Sequence, residues 1–272
     1  MIKFIWYLYF LIKSVLFHVN ILLNITHVID DDRVKEVISL LKPVRIQSDL
    51  IRIGGGGDGG YLIPDDLDGI EYCFSPGVST YAPFEIELEK HGIRSFLADY
   101  SVERAPTGLE KAEFIKKFIT SRENETSSTL KKWIDDSIGN NYEGDMILQM
   151  DIEGYEYEVL FETSISYLKK FRIIVIEFHG LHGMFDKLQL GFIEHIFKKI
   201  TSEFNVVHLH PNNFAPALCT ESIEVPDIME ITFLRKDREI KESGILKYPH
   251  ALDRRCSSYR RDFPLPGCWH ED

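Results

Sequence analysis

Polar residues that can do chemistry recur in this sequence at the ends of apolar stretches. Asp99 closes "IRSFLAD", Asp151 and Glu153 follow "DMILQM", and Glu177 and His179 end "FRIIVIEFH". His208, His210, Asn212 and Asn213 end "NVVHLHPNN", and an earlier stretch, "EYCFSP", runs into Ser75-Pro76-Gly77-Val78-Ser79. A carboxylate at a strand end can accept two hydrogen bonds from a vicinal diol such as ribose, the candidate role of Asp99; its plainer role is to cap Tyr100-Ser101. Asp151 follows a run too apolar to need an acid for solubility, whereas Glu153 could simply cap a helix beginning near Gly154. Glu177 and His179 are two positions apart, as are His208 and His210, so each pair shares one face of an extended chain. Gly77 could be no more than the glycine of a tight turn. His182, His195 and His250 have no such placement.

These residues need a scaffold that brings strand ends together. From Glu71 onward, short β-branched or aromatic runs alternate with helically spaced ones: "APFEIELEKHG", with Gly92 as a stop, "STLKKWIDDSI", "YEYEVLFETS" and "LQLGFIEHIFKKITSEF". "AEFIKKFITS" reads as either helix or strand, and "DIMEITFLRKD" as an edge strand closing the sheet. Such alternation predicts an α/β fold with a mainly parallel sheet covered by helices on both faces. Ligands in such sheets bind beyond the carboxyl ends of the strands, which collects all the residues above at one edge.

The composition is that of a globular protein, 44% hydrophobic and 27% charged. A formal net charge of −12 argues against a nucleic-acid partner. Four cysteines without CxxC spacing read as reduced thiols of a cytoplasmic protein. "FIWYLYFLIKSVLFHVNILLNI", Phe4 to Ile25, is nearly continuous apolar sequence interrupted by Lys13, His18 and Asn20. It predicts an N-terminal apolar helix over 1–28, associated with a membrane, docked on the domain or a dimer partner, or spanning a bilayer. "VIDDDRVKEVISLLK" predicts an amphipathic helix capped by its aspartates. The main domain is expected over 29–247, with an irregular, surface-laid tail over 248–272. Arg52–Asp66 holds a glycine run that satisfies G-x-G-x-x-G. No helix can follow it, because Tyr61-Leu62-Ile63 leads into Pro64-Asp65, so it reads as a mobile loop and not a dinucleotide or phosphate loop.

Taken together, "RIGGGGDGGYLIPDD", "CFSPGVS", "FLADYS", "LQMDIEGYEYEVL", "VIEFHGL", "VHLHPNN" and "IEVPDIMEITFLRKD" resemble the FkbM-type methyltransferases over Arg52–Asp237. The resemblance implies a class I, Rossmann-like methyltransferase fold: a seven-stranded sheet with the last strand antiparallel. It implies S-adenosylmethionine as cofactor and O-methylation of a hydroxyl, often on a sugar of a polysaccharide, glycolipid or secondary metabolite. Ser75, Pro76, Gly77 and Val78 would pass under the cofactor's amino-acid end. Asp99 with Tyr100 would hold its ribose, and Asp151 and Glu153 would complete its site. Ser75-Pro76-Gly77 departs from the acid and glycines that many methyltransferases carry there, and Asp58, Gly59 and Tyr61 could compensate by folding over.

A sugar hydroxyl is a poor nucleophile, so methyl transfer requires its proton to be removed. Asp151 and His179 are the first candidates for the base and His210 the next. Alternatively Asp151, Glu177, His179 and His210 hold magnesium or manganese, although no spacing defines such a site. Two rivals stay open at this point: an NAD-dependent sugar oxidoreductase or epimerase, and a non-enzymatic membrane-associated scaffold.

Overall fold

The computed structural model describes residues 29–241 and 246–271. The apolar segment 1–28 lies outside them, so its expected helix is not addressed; among the described residues no helix is long and apolar enough to cross a membrane.

An N-terminal helix α1 (Asp31–Ser39) is capped by Asp30, whose carboxylate accepts the Asp32 amide. Strands β1 (Leu50–Ile53) and β2 (Tyr61–Pro64) form an antiparallel hairpin. Then come β3 (Ile70–Pro76), α2 (Pro83–Lys90), β4 (Arg94–Ala98) and β5 (Glu113–Ile115). A small parallel pair, β6 (Phe118–Ile119) and β7 (Ser127–Ser128), precedes α3 (Leu130–Ile138), which Thr129 caps. The chain continues through β8 (Asp145–Met150), α4 (Glu156–Glu162), α5 (Ile165–Leu168), β9 (Phe171–Phe178) and α6 (Lys187–Thr201). It ends with β10 (Phe204–Pro211), the hairpin β11 (Ala217–Cys219) and β12 (Glu224–Pro226), and β13 (Met229–Arg235).

The main sheet has seven strands in the order β10-β13-β9-β8-β3-β4-β5. All run parallel except β13, which is antiparallel to both its neighbours. Its placement corrects one expectation: β13 is not an edge strand but lies between β9 and β10, and every residue from Met229 to Leu234 is buried. "AEFIKKFITS" resolves into two strand segments, β5 and β6.

Burial on both faces explains the apolar strands; all eight residues of β9 are buried. One face packs Phe74, Phe96, Leu148, Ile174 and Phe233 against α1 and α3–α6, with Trp133 set edge-on to Phe74. The other face packs Cys73, Ile147, Ile173 and Val175 under α2 (Phe84, Leu88) and the β1–β2 hairpin (Ile53, Tyr61, Ile63). The hairpin is tied to the sheet by the Thr232 hydroxyl, which donates to the Leu62 carbonyl at 2.7 Å.

The glycine run is the loop of this hairpin and is fastened at several points. The Arg52 guanidinium donates to the carbonyls of Gly55 (2.8 Å) and Gly57 (2.9 Å), and the Gly54 amide donates to the Glu87 carboxylate (2.7 Å). A Cβ on Gly60 would lie 2.3 Å from the Gly54 carbonyl, so the two arms pass too closely for a side chain. The tail also departs from expectation. It is irregular but not surface-laid, because Leu265 and Trp269 enter the main core and the Trp269 indole donates to the Glu224 carbonyl at 3.0 Å. At the amino-terminal end of the sheet, Asp145 pairs with both Arg172 and Arg235, whose charges and hydrogen bonds outweigh its burial and lower its pKa.

Candidate active site

The carboxyl ends of β3, β4 and β8 meet at a close backbone contact. Gly77, at φ +91°, sits so near the loop after β8 that a Cβ would lie 1.6 Å from the Asp151 carbonyl oxygen. Its amide donates to Ala98 (2.9 Å) and the Asp151 amide to Pro76 (3.3 Å), locking three strand ends together. Ser79 and Glu153, neither a glycine, also have positive φ, 52° and 56°. Such backbone concentrates at functional sites, where the surrounding fold enforces it.

Two cavities open there and share Gly77, Ser79 and Asp151 in their walls. The first, about 330 Å³, is lined by Asp99, Phe118, Ile119, Ile152, Glu153 and Tyr155 among others. The second, about 220 Å³, is lined by Asp58, Gly59, Tyr61, Val78, Tyr81 and Glu85 among others. A larger cavity, about 420 Å³, opens beside β1 and the tail near Arg45, Leu50 and Pro249. It contains none of the strand-end acids of the other two cavities.

Of the cofactor residues expected from sequence, Asp58, Gly59, Tyr61, Gly77, Val78, Asp99, Asp151 and Glu153 line one or both of the two cavities. Ser75, Pro76 and Tyr100 do not. Ser75 is fully buried beneath the second cavity, bonded to Glu85 and to Gln149, whose amide reaches the Tyr61 hydroxyl at 3.2 Å. Pro76 contributes only its carbonyl, and the Tyr100 ring packs outward on Phe118. Ser79, Ala98, Ser101, Phe118, Ile119, Thr120, Ile152 and Tyr155 complete the first cavity.

Asp99 is both a cap and a wall of the cavity. One carboxylate oxygen accepts from the Ser79 amide (2.8 Å), the other from the amide and hydroxyl of Ser101 (both 2.7 Å). The strand end thereby fixes both loops that flank the cavity, and the oxygen that accepts from Ser79 keeps one further acceptor site.

Asp151, Glu177 and His179 come together, with their ligating atoms within 4.8 Å of one another. The organiser is Glu156, a fully buried residue of α4 not anticipated from sequence. Its Oε1 accepts from the amides of Ile152 and Gly154 (both 3.1 Å) and lies 3.2 Å from His179 Nδ1. Glu156, not Glu153, therefore holds the loop after β8; the Glu153 side chain is 86% exposed. With Nδ1 turned to this carboxylate, Nε2 faces Glu153 and Glu177 (both 3.6 Å) and Asp151 (3.9 Å). Burial pulls the His179 pKa down, but the hydrogen bond and charge of Glu156, with Asp151 and Glu153, raise it overall. Burial pushes Asp151 up to about 7; His179 opposes that shift, while Glu153, Glu156 and Asp58 add to it. Glu177 is raised well above the carboxylate range by burial and by the charges of Asp151 and Glu230, with Asn212 donating to it at 2.9 Å.

His210 stands apart from this group, a correction to the expected four-residue cluster. Two strands, β9 and β13, separate β10 from β8, and His210 Nδ1 lies 3.0 Å from Glu230. Burial lowers its pKa, but Glu230 more than compensates and lifts it to about 9. Its neighbours are Glu230 and the Cys256 thiol, which donates to Glu230 at 3.0 Å. His208 pairs with Asp253 of the tail at 2.8 Å. The four cysteines are all free thiols.

Sheet order, the inserted antiparallel strand and cavities at the carboxyl edge define a class I, Rossmann-like methyltransferase fold. Residues 74–206 match the family model of the methyltransferase FkbM domain. That stretch carries Asp99, Asp151, Glu156 and His179. The family match supports a methyltransferase. Among solved structures, the crystal structure of a fibrillarin/Nop5p complex aligns at TM-score 0.35 with 11% identity, over 62% of this chain and 74% of that one. A likeness this distant carries no argument about function. No curated protein sequence matches the chain.

Proposed function

We propose that the protein moves a methyl group from S-adenosylmethionine to a hydroxyl oxygen, on a sugar or sugar-bearing metabolite. The observation that carries this reading is the charge of the two joined cavities. Asp58, Glu85, Asp99, Asp151 and Glu153 line them, and no Lys or Arg does. That wall would repel a dinucleotide pyrophosphate and suits a ligand bearing a sulfonium and an ammonium group. Phe118, Ile119 and Ile152 offer apolar walls for a flat base in the same cavity as the Asp99 carboxylate for a diol. Asp58 and Tyr61 would face the amino-acid end.

When bound, S-adenosylmethionine supplies a methyl group activated by positive sulfur. The remaining work falls to the chain's own residues. Oε1 of Glu156 acts as an acceptor, taking the Ile152 and Gly154 amides, so Nδ1 of His179 is placed to donate to it, and in that tautomer the Nε2 lone pair is left to take the hydroxyl proton. Asp151 stands beside it to accept that proton or to stabilise the resulting imidazolium. A second reading, a divalent cation held by Asp151, Glu177 and His179, is favoured by one observation: Asp151 Oδ1 and Glu177 Oε2 are buried without a hydrogen-bond partner. A chelator separates the two, since it leaves a histidine base active and abolishes metal-assisted transfer.

The cofactor assignment is tested at Asp99. Asp99→Ala should weaken S-adenosylmethionine binding by about 1–3 kcal/mol in isothermal titration. Because Asp99 also holds two loops, the deciding comparison uses a 2′-deoxy analogue. It should bind wild type more weakly than the natural cofactor and lose that disadvantage in the variant. A disadvantage equal in both proteins rules out Asp99 as the diol partner.

A further inference from the structure

The tail segment Arg254-Arg255-Cys256-Ser257-Ser258-Tyr259-Arg260-Arg261 places four arginines in eight positions of a chain whose net charge is −12. All four are exposed, and Tyr259 between them is 95% exposed. Arg254 donates to the backbone carbonyls of Ala251 and Asp253, and none of the four forms an ion pair among the described residues. Asp253 and Asp262 flank the segment in sequence, but Asp253 pairs with His208 and neither forms an ion pair with these arginines.

The backbone beneath them is nevertheless held firmly. Asn213, buried at the end of β10, donates from its side-chain amide to the carbonyls of Ser257 (2.9 Å) and Arg260 (3.2 Å) and accepts the Ser257 amide (2.6 Å). The Cys256 thiol is anchored on Glu230. Glu230 lies directly across from Glu177 in the sheet register, and Glu177 belongs to the group with Asp151 and His179. The loop is thus fastened through Cys256 and Glu230 to the strand that carries Glu177's neighbour, its guanidinium groups are exposed, and Phe214, next to Asn213, adds a second exposed aromatic ring.

We propose that this loop binds an anionic group carried by the methyl acceptor, a phosphate or pyrophosphate ester at some remove from the reacting hydroxyl. The link to the acceptor rests on the methyltransferase reading above. Guanidinium forks match phosphate oxygens in paired hydrogen bonds, and the exposed rings suit the face of a sugar. The acid-lined cavities exclude such a group, so a phosphorylated acceptor has to place its charge outside them, and the arginine loop is where the fold offers compensation.

The test titrates inorganic pyrophosphate into the full chain and into Arg255→Gln/Arg260→Gln/Arg261→Gln at low salt, with S-adenosylmethionine titrated into both. Pyrophosphate should bind wild type and bind the variant about tenfold more weakly, with cofactor affinity unchanged. Equal pyrophosphate affinity in both proteins, or none in wild type, overturns the proposal. Arginine-dependent sedimentation with phosphatidylserine-containing vesicles, in a protein that ignores pyrophosphate, also overturns it and assigns the loop to a membrane surface. Pyrophosphate binding without cofactor binding would sustain the anion site and sink the methyltransferase reading, so the two fail separately.

Discussion

Replacing His179 with alanine should lower turnover by about 10²–10⁴-fold, the usual consequence of losing a general base. Cofactor affinity should stay within about twofold, because a base interaction matters mainly in the transition state. Glu156→Gln should fall between wild type and His179→Ala, since it keeps the shape but removes the charge that orients and stabilises the imidazole. The pH profile follows from the same geometry. Asp151, pushed by burial to about 7, and His179, also raised, are both protonated in acid and must lose their protons to act. Turnover should therefore rise with pH through about 7 and level off above it. Asp151→Asn should remove or displace that limb. Steady-state rates across pH for the three variants check this, and wild-type rates in both Asp151→Asn and His179→Ala would leave alignment alone to explain catalysis.

Trp269→Ala should cost about 3–5 kcal/mol of folding stability, the typical loss on emptying a buried Trp site. Trp269 is fully buried in the core that includes Val34, Ile196 and Val225, and its indole satisfies the Glu224 carbonyl. A loss of that size is a large share of the 5–15 kcal/mol typical of whole domains. Urea unfolding measures it directly. An unchanged midpoint would show that the tail is an appendage, as its proline-rich sequence suggests, and not a part of the core.

Most of the sheet was legible because parallel strands are buried on both faces and leave nearly continuous apolar runs, as in "FRIIVIEF". The position of β13 was not. Its hydrophobicity says that it is a strand, but only tertiary pairing decides whether it closes the sheet or slips between β9 and β10. Asp99 and Asp151 stood out because each ends an apolar strand. Glu156 did not, since "YEYEVLF" offers two glutamates at the start of one helix. Burial in three dimensions alone distinguishes Glu156 from Glu158. His210 misled for a related reason: spacing puts it at the same sheet edge as Asp151 but gives no lateral distance across that edge. The tail's proline content masked Trp269, because a single buried ring leaves no periodic pattern.

The two acid-lined cavities that share Gly77 and Asp151 are proposed to hold one S-adenosylmethionine. A crystal structure with the product, S-adenosylhomocysteine, tests this most directly. The expected density has a ribose hydroxyl on Asp99, adenine between Phe118 and Ile152, the amino-acid end toward Asp58 and Tyr61, and sulfur on the side of Asp151 and His179. Density for the ligand anywhere else, or a ribose turned away from Asp99, would contradict it.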